Sequence, residues 1–147
     1  MGNNIEWLKE HLKSIYDRNP YVRLLQISIA KIEEGRAELI MPVIYEKHTN
    51  LYGVAHGGAL ASLADTAMGV ACATLGNRVV TLDMNINYIR GAKQQSVVKA
   101  IGTVVHKGKS TMVVEADVRD CAEDFLLAKA RGTFFIIGAF DKGDHRD

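Results

Sequence analysis

From Gly57 to Thr74 the chain has almost nothing polar on any side of a helix. Leu60, Ala61, Leu63, Ala64, Ala67, Met68, Val70, Ala71 and Ala73 cover nearly its whole circumference. Such a helix has to be covered by another layer. The rest of the chain supplies one, because after Gly76-Asn77 the apolar period changes to two. Val80, Leu82, Met84, Ile86 and Tyr88 alternate with Thr81, Asp83, Asn85 and Asn87. Val98, Ala100, Gly102 and Val104 continue the pattern, as do Met112, Val114, Ala116 and Val118, and finally Ala128, Ala130, Gly132, Phe134 and Ile136. Lys107-Gly108-Lys109 and Cys121-Ala122-Glu123-Asp124 are the turns between these runs. Ahead of the helix, Leu25/Ile27/Ile29 and Ala37/Leu39/Met41 predict two strands around a Glu34-Gly35 turn, with Pro42 closing the second. About six strands joined mostly by hairpins predict an antiparallel sheet, and the helix must bury itself against it. The class is α+β.

Residues 4–18 predict a further helix, capped by Asn3 or Asn4 and ended by Asn19-Pro20. Trp7, Leu8, His11, Leu12 and Ile15 share one face, so this N-terminal helix (within 1–19) reads as an amphipathic lid without chemistry of its own. Residues 139–147 read as a polar tail, and 1–147 as a single domain without repeat or linker. With 18 basic and 17 acidic residues the charge gives no sign of nucleic acid as a partner. No stretch has the pattern of a secretory signal or a membrane span. Cys72 and Cys121 lie far apart without CxxC spacing, which predicts neither disulfide nor zinc site and suits a cytoplasmic setting. Cys72, Met68, Met84 and Met112 read as core.

The segment that enters the helix reads HTNLYGVAHGGALASLADTA, residues 48–67. It resembles the signature of the phenylacetate-degradation-type (PaaI-like) acyl-CoA thioesterases: an Asn in the loop, a G-x-x-HGG turn into the helix, and an Asp eight residues after the first glycine of HGG. VVTLDMNINYIRGAK resembles their next strand, and the similarity covers roughly residues 20 to 138. The resemblance implies the hot-dog fold, a sheet wrapped around one long helix. It also implies an acyl-CoA substrate and a homodimer, often paired again into a tetramer. Thr81 matches a position where that family carries a hydroxyl that helps place the attacking water. The histidine pattern of hot-dog dehydratases is absent, although a hydratase or a non-catalytic acyl-CoA sensor would share the fold.

The residues suit that chemistry. A thiolate leaves readily, since its conjugate thiol has a pKa near 8.5. What remains is to hold the carbonyl oxygen and to supply a nucleophile. The leading N–H groups of the helix lack internal partners and sit at the positive end of its dipole. Gly57 and Gly58 leave room for close approach, and Asn50 can add a second donor, which would complete an oxyanion hole. Asp65 would be base or nucleophile, because burying an idle carboxylate costs several kcal/mol. Plain structural roles stand beside these: a turn for Asn50, a cap for His56, helix packing for Gly57 and Gly58, an ordinary strand position for Thr81. Arg90, Lys93, Lys107 and Lys109 lie at strand ends and turns, as solvated residues or as partners for CoA phosphates. His48 and His56 lack companions at metal spacing, so no metal is expected, and no cofactor either, since CoA belongs to the substrate. Finally, eight helical residues put Asp65 about 12 Å from Gly57, too far to share one carbonyl. Two antiparallel helices across a dyad would bring Asp65 of one chain to Gly57 of the other.

Overall fold

A computed structural model of the chain describes the backbone of residues 2–140 and the side chains of 5–140. The first helix begins at Gly2, so Asn3 and Asn4 lie within it and do not cap it, and residues 141–147 of the tail lie outside the described residues. The elements in order are α1 (Gly2–Asp17), α2 (Pro20–Leu24), β1 (Ser28–Glu33), β2 (Arg36–Pro42), α3 (Tyr45–His48), α4 (Gly57–Ala73), β3 (Asn77–Tyr88), β4 (Val97–Lys107), β5 (Thr111–Asp120) and β6 (Leu126–Ala139). The six strands form one antiparallel sheet in the order β1-β2-β4-β5-β6-β3. It wraps α4, as the hot-dog expectation requires. Among the described residues no helix is long and apolar enough to cross a membrane.

The helix seats where a side chain is missing. A Cβ on Gly102, facing inward from β4, would stand 2.6 Å from the carbonyl oxygen of Ala67 and 2.8 Å from its carbon. That is backbone, which cannot swing aside. Around this contact Leu63, Ala64, Ala67, Met68, Val70 and Ala71 are buried against Leu39, Met41, Val98, Ala100, Met112 and Val114. Each large aliphatic side chain so buried contributes about 1.5–3 kcal/mol.

The sheet does not cover the whole helix. Ser62, Asp65, Thr66 and Gly69 remain only partly buried, and they recur at helical spacing as a single stripe. The charge of Asp65 therefore lies on the one side of α4 that faces away from the packed core, rather than within it.

Three further local expectations need correction. Leu25 and Ile27 are not in a strand. Asn19 ends α1 but also caps α2, its side chain accepting from the N–H groups of Tyr21 and Val22, and Pro20 takes the first turn. The first strand begins only at Ser28. At the other end β6 runs to Ala139, and Phe140 still donates to the Gly76 carbonyl at 2.9 Å, so the tail begins later than 139. The third correction concerns β3, where the alternation does not keep one phase. β3 pairs with β6 through Thr81↔Phe134, then Asp83↔Thr133, which makes Leu82 the extra residue of a β-bulge. Before the bulge Thr81 shares the inner face with buried Phe134; after it Met84, Ile86 and Tyr88 do. Val80 (48% exposed) and Leu82 (56%) are therefore turned outward, beside Phe135 (41%) and Ile137 (55%) of β6.

The helix seat yields a paired test. Gly102→Ala should lower the urea unfolding free energy by about 3 kcal/mol or more, because the helix backbone has to move. A Cβ on Gly69 would meet only Phe134 at 3.9 Å and Tyr16 at 4.0 Å. Gly69→Ala should therefore be neutral or stabilising by up to about 1 kcal/mol. Equal effects of the two would contradict the seat.

Candidate active site

The N-terminus of α4 is built by its flanking loop. His48, at the end of α3, is 1% exposed and clamps two distant backbone groups. Its Nδ1 accepts from the Ile44 N–H at 3.0 Å, which leaves the proton on Nε2 to donate to the Leu25 carbonyl at 2.7 Å. The His56 N–H donates to the His48 carbonyl, and Thr49 pairs with Ala55, so the intervening loop closes on itself. Within it, Asn50 Oδ1 accepts from the N–H groups of Tyr52 (2.9 Å) and Val54 (3.4 Å). This turn fixes the amide through its oxygen and leaves the Nδ2 hydrogens as its donors.

His56 caps the helix, its Nδ1 accepting from the Gly58 N–H at 2.8 Å. The expected row of unpaired donors accordingly narrows. Gly58 is occupied by His56, and Gly57 alone of the pair offers an N–H without an acceptor among the described residues. Tyr88 holds that corner from the sheet by donating to the Gly57 carbonyl at 2.6 Å. A Cβ on Gly57 would press on the Tyr88 ring at 3.1 Å. Burial raises the Tyr88 phenol above its ordinary pKa, which preserves the donor.

The acid stands elsewhere. Asp65 Oδ1 accepts from Thr81 Oγ1 at 2.7 Å. The bulge makes this bond, since without the extra residue Thr81 would point away from α4. The pair lines a cleft of about 400 Å³ between α1, α4 and the β3–β6 edge, together with Ile15, Tyr16, Gly69 and Phe134. The first helix is thus not a bare lid: it forms one wall of the chamber that holds Asp65. Burial, then the nearby Cys72 and Asp65, push the Tyr16 phenol up to about 12. Burial does the same to the Cys72 thiol, which takes it out of contention as a nucleophile.

Neither Asn50 nor Gly57 lines that cleft. One chain therefore holds the donors at one place and the acid about 12 Å along the helix.

The cations divide in the same way. Arg90 lies 3.6 Å over the Phe125 ring, and Lys93 pairs through its backbone with Val54, so both belong to the donor end. Lys107 and Lys109 flank the β4–β5 turn. Thr111 pairs with Phe135 whereas Tyr88 pairs with Ala128, which places that turn roughly 23 Å farther along β6.

Sequence reasoning missed His48, Tyr88 and Tyr16. Tyr88 stood in the alternation as one more core residue, and each of the three has a partner on a distant segment: Leu25 for His48, Gly57 for Tyr88 and the α4 and β6 walls for Tyr16.

Residues 52–123 match the model of the thioesterase superfamily. The chain is 31% identical over 138 residues to the acyl-coenzyme A thioesterase PaaI of Escherichia coli, covering 94% of this chain and 96% of that one. The solved structure of the E. coli PaaI protein superposes with a TM-score of 0.83 at 29% identity, over 92% of this chain and 96% of that one. Human acyl-coenzyme A thioesterase 13 is 31% identical over 90% of this chain and 96% of its own. A hypothetical thioesterase of Streptococcus pneumoniae solved with coenzyme A is 33% identical, with a TM-score of 0.74 over 78% of this chain and 91% of that one. Two further structures of the pneumococcal protein carry alanine in place of an aspartate and of a threonine sixteen positions apart, the separation of Asp65 and Thr81 here.

The loop clamp is testable. His48→Ala leaves the Ile44 N–H and the Leu25 carbonyl buried and unpaired, and should cost about 2–4 kcal/mol in urea denaturation. A loss under about 0.5 kcal/mol would show that the loop does not depend on it.

Proposed function

Since this chain is a member of the thioesterase superfamily, we propose that it hydrolyses acyl-CoA thioesters to the free acid and CoA, with each active site shared between two copies of the chain. The observation that carries the reading is the Asp65–Thr81 pair, held at 2.7 Å on a cleft from which the oxyanion donors of the same chain are absent. An antiparallel dimer supplies what each half lacks.

In that site the carbonyl oxygen accepts from the N–H of Gly57 of the partner subunit and from the amide of Asn50 of the partner subunit. Donors aimed at the developing oxyanion are worth about 10²–10³ each in rate. Thr81 occupies Oδ1 of Asp65, so Oδ2 is left to accept a proton from water. The water oxygen bonds to the carbonyl carbon and its proton passes to Asp65. The tetrahedral intermediate then expels the thiolate, which takes that proton. His56 serves as cap and holds the donor turn. Gly58, without a side chain, leaves room for close approach of the thioester, and Arg90 and Lys93 at the donor end suit CoA phosphates. Lys107 and Lys109 would reach the nucleotide only from the partner's side.

The sheet edge supports the same assembly. β3 is an edge strand, paired with β6 on one side only, and the outer face there carries Val80 and Leu82 next to Phe135 and Ile137. An unpaired backbone edge is a template for another strand, and an exposed apolar patch beside it marks a contact surface. A second copy of β3 set antiparallel would cover it, and two such dimers would make the tetramer.

Two measurements check the proposal. Asp65→Asn should lower the turnover of an acyl-CoA by about 10²–10⁴, followed by release of free thiol; an unchanged rate removes Asp65 from the chemistry. Asp65→Asn and Asn50→Ala proteins, each impaired alone, should recover activity when refolded together, because every heterodimer then contains one intact site. Absence of recovery from verified heterodimers would place both residues in a single-chain site.

A further inference from the structure

The stripe that the sheet leaves open on α4 carries hydroxyls as well as the acid, and their protons can be traced. Ser62 Oγ donates back to the Gly58 carbonyl at 2.8 Å, and Thr66 Oγ1 donates to the Ser62 carbonyl at 2.7 Å. Each hydroxyl has a single hydrogen. The 2.7 Å contact between Tyr21 Oη and Ser62 Oγ therefore runs in one direction, with Tyr21 donating. The Tyr21 phenol has committed its proton to Ser62, and only its lone pairs remain for a further partner.

The place of Tyr21 is fixed locally. Asn19 caps α2 by accepting from the Tyr21 N–H at 3.1 Å, Pro20 takes the first turn, and Val22 anchors that turn in the core. Tyr21 thus stands beside the stripe and lines the same cleft as Asp65 and Thr66. Ser62 and Asp65 are three residues apart on one helix face, about 5–6 Å between Cβ atoms. A water that makes hydrogen bonds of about 2.8 Å to either side spans such a gap.

We infer that Tyr21 is the second acceptor for the attacking water. The inference rests on the thioesterase reading, in which Oδ2 of Asp65 receives one hydrogen of that water. Tyr21 Oη accepts the other. Two acceptors fix both O–H bonds and so aim an oxygen lone pair at the carbonyl carbon. During attack the hydrogen toward Asp65 is transferred, whereas the one toward Tyr21 stays on the oxygen and leaves with the acid product. Tyr21 neither gains nor loses a proton. Ser62 acts only through Tyr21, by keeping the phenol proton turned away from the water.

The test compares Tyr21→Phe with Ser62→Ala on an acyl-CoA that the wild type hydrolyses and on its non-hydrolysable thioether analogue. Tyr21→Phe keeps the ring and removes only Oη. It should lower kcat about tenfold, with KM and the dissociation constant of the thioether within about twofold of wild type. Ser62→Ala breaks the same Tyr21–Ser62 bond but keeps Oη, so kcat should fall by no more than about threefold. Circular dichroism and sedimentation verify the fold and assembly of both variants. An equal or larger loss of kcat in Ser62→Ala would make the bond a structural tie of α2 and overturn the inference, as would an unchanged kcat in Tyr21→Phe. A loss in Tyr21→Phe that appears to the same degree in thioether affinity assigns the hydroxyl to binding and overturns it too. Failure here is distinct from failure of the thioesterase reading. If Asp65→Asn loses turnover while Tyr21→Phe keeps it, only the role of Tyr21 falls; if the wild type releases thiol from no acyl-CoA, both fall.

Discussion

The contact between Gly102 and the backbone of Ala67 governs everything built around α4. At that distance helix and sheet touch main chain to main chain, so the helix can neither roll nor slide without a clash. Fixing its rotation decides which stripe remains outside the sheet. That stripe carries Asp65, and the height of Asp65 above β3 then decides which strand residue can reach it. A helix seated one side chain farther out would still bury apolar area, yet it would not hold a carboxylate within 2.7 Å of a threonine on a neighbouring strand.

The bulge at Leu82 is the second element of the same design. One extra residue reverses the phase of β3, with opposite effects at its two ends. Downstream, Met84, Ile86 and Tyr88 face the helix, and Tyr88 reaches the first turn of α4. Upstream, Thr81 faces the helix and Val80 is turned to the outer face of the sheet. A single irregularity thereby couples the placing of the hydroxyl beside Asp65 to the exposure of an apolar patch on the outer face of the edge strand. The proposed chemistry and the proposed assembly are thus linked through backbone register rather than through a shared side chain.

How far the sequence could show this depends on the range of each interaction. The bounds of α4, the Glu34-Gly35 turn and the inward rows of β2, β4, β5 and β6 were legible because period and turn residues are local properties. Asp65 was legible because a lone charge breaks the pattern of an apolar run, although the fold avoids the expected burial by placing it on the partly exposed stripe of α4. The bulge was not, since Thr81-Leu82-Asp83 is ordinary alternation until Phe134 and Thr133 of β6 set the pairing. Short α2 escaped because Leu25, Ile27 and Ile29 mimic a strand, while the cap at Asn19 and the proline at the first turn act over only a few residues. His48 looked like a loop polar group because both its partners, Ile44 N–H and Leu25 carbonyl, are backbone atoms that any sequence supplies. Tyr16 was read as part of a plain amphipathic helix, for its neighbours across the cleft lie far along the chain.

The separation of donors from acid along one helix also explains why α4 can be so apolar. A site completed within one chain would need oxyanion donor and base on adjacent turns, and hence two polar groups and a solvent path cut into the buried helix. With the two functions at different heights, each chain exposes one carboxylate and one N–H, and the remaining turns stay buried and contribute stability. In the dimer proposed above, the demand moves to the partner, which has to pair with β3 before either half-site works. On that proposal, folding and pairing of the chain are two steps of one burial process, and catalysis is confined to the species in which both are complete.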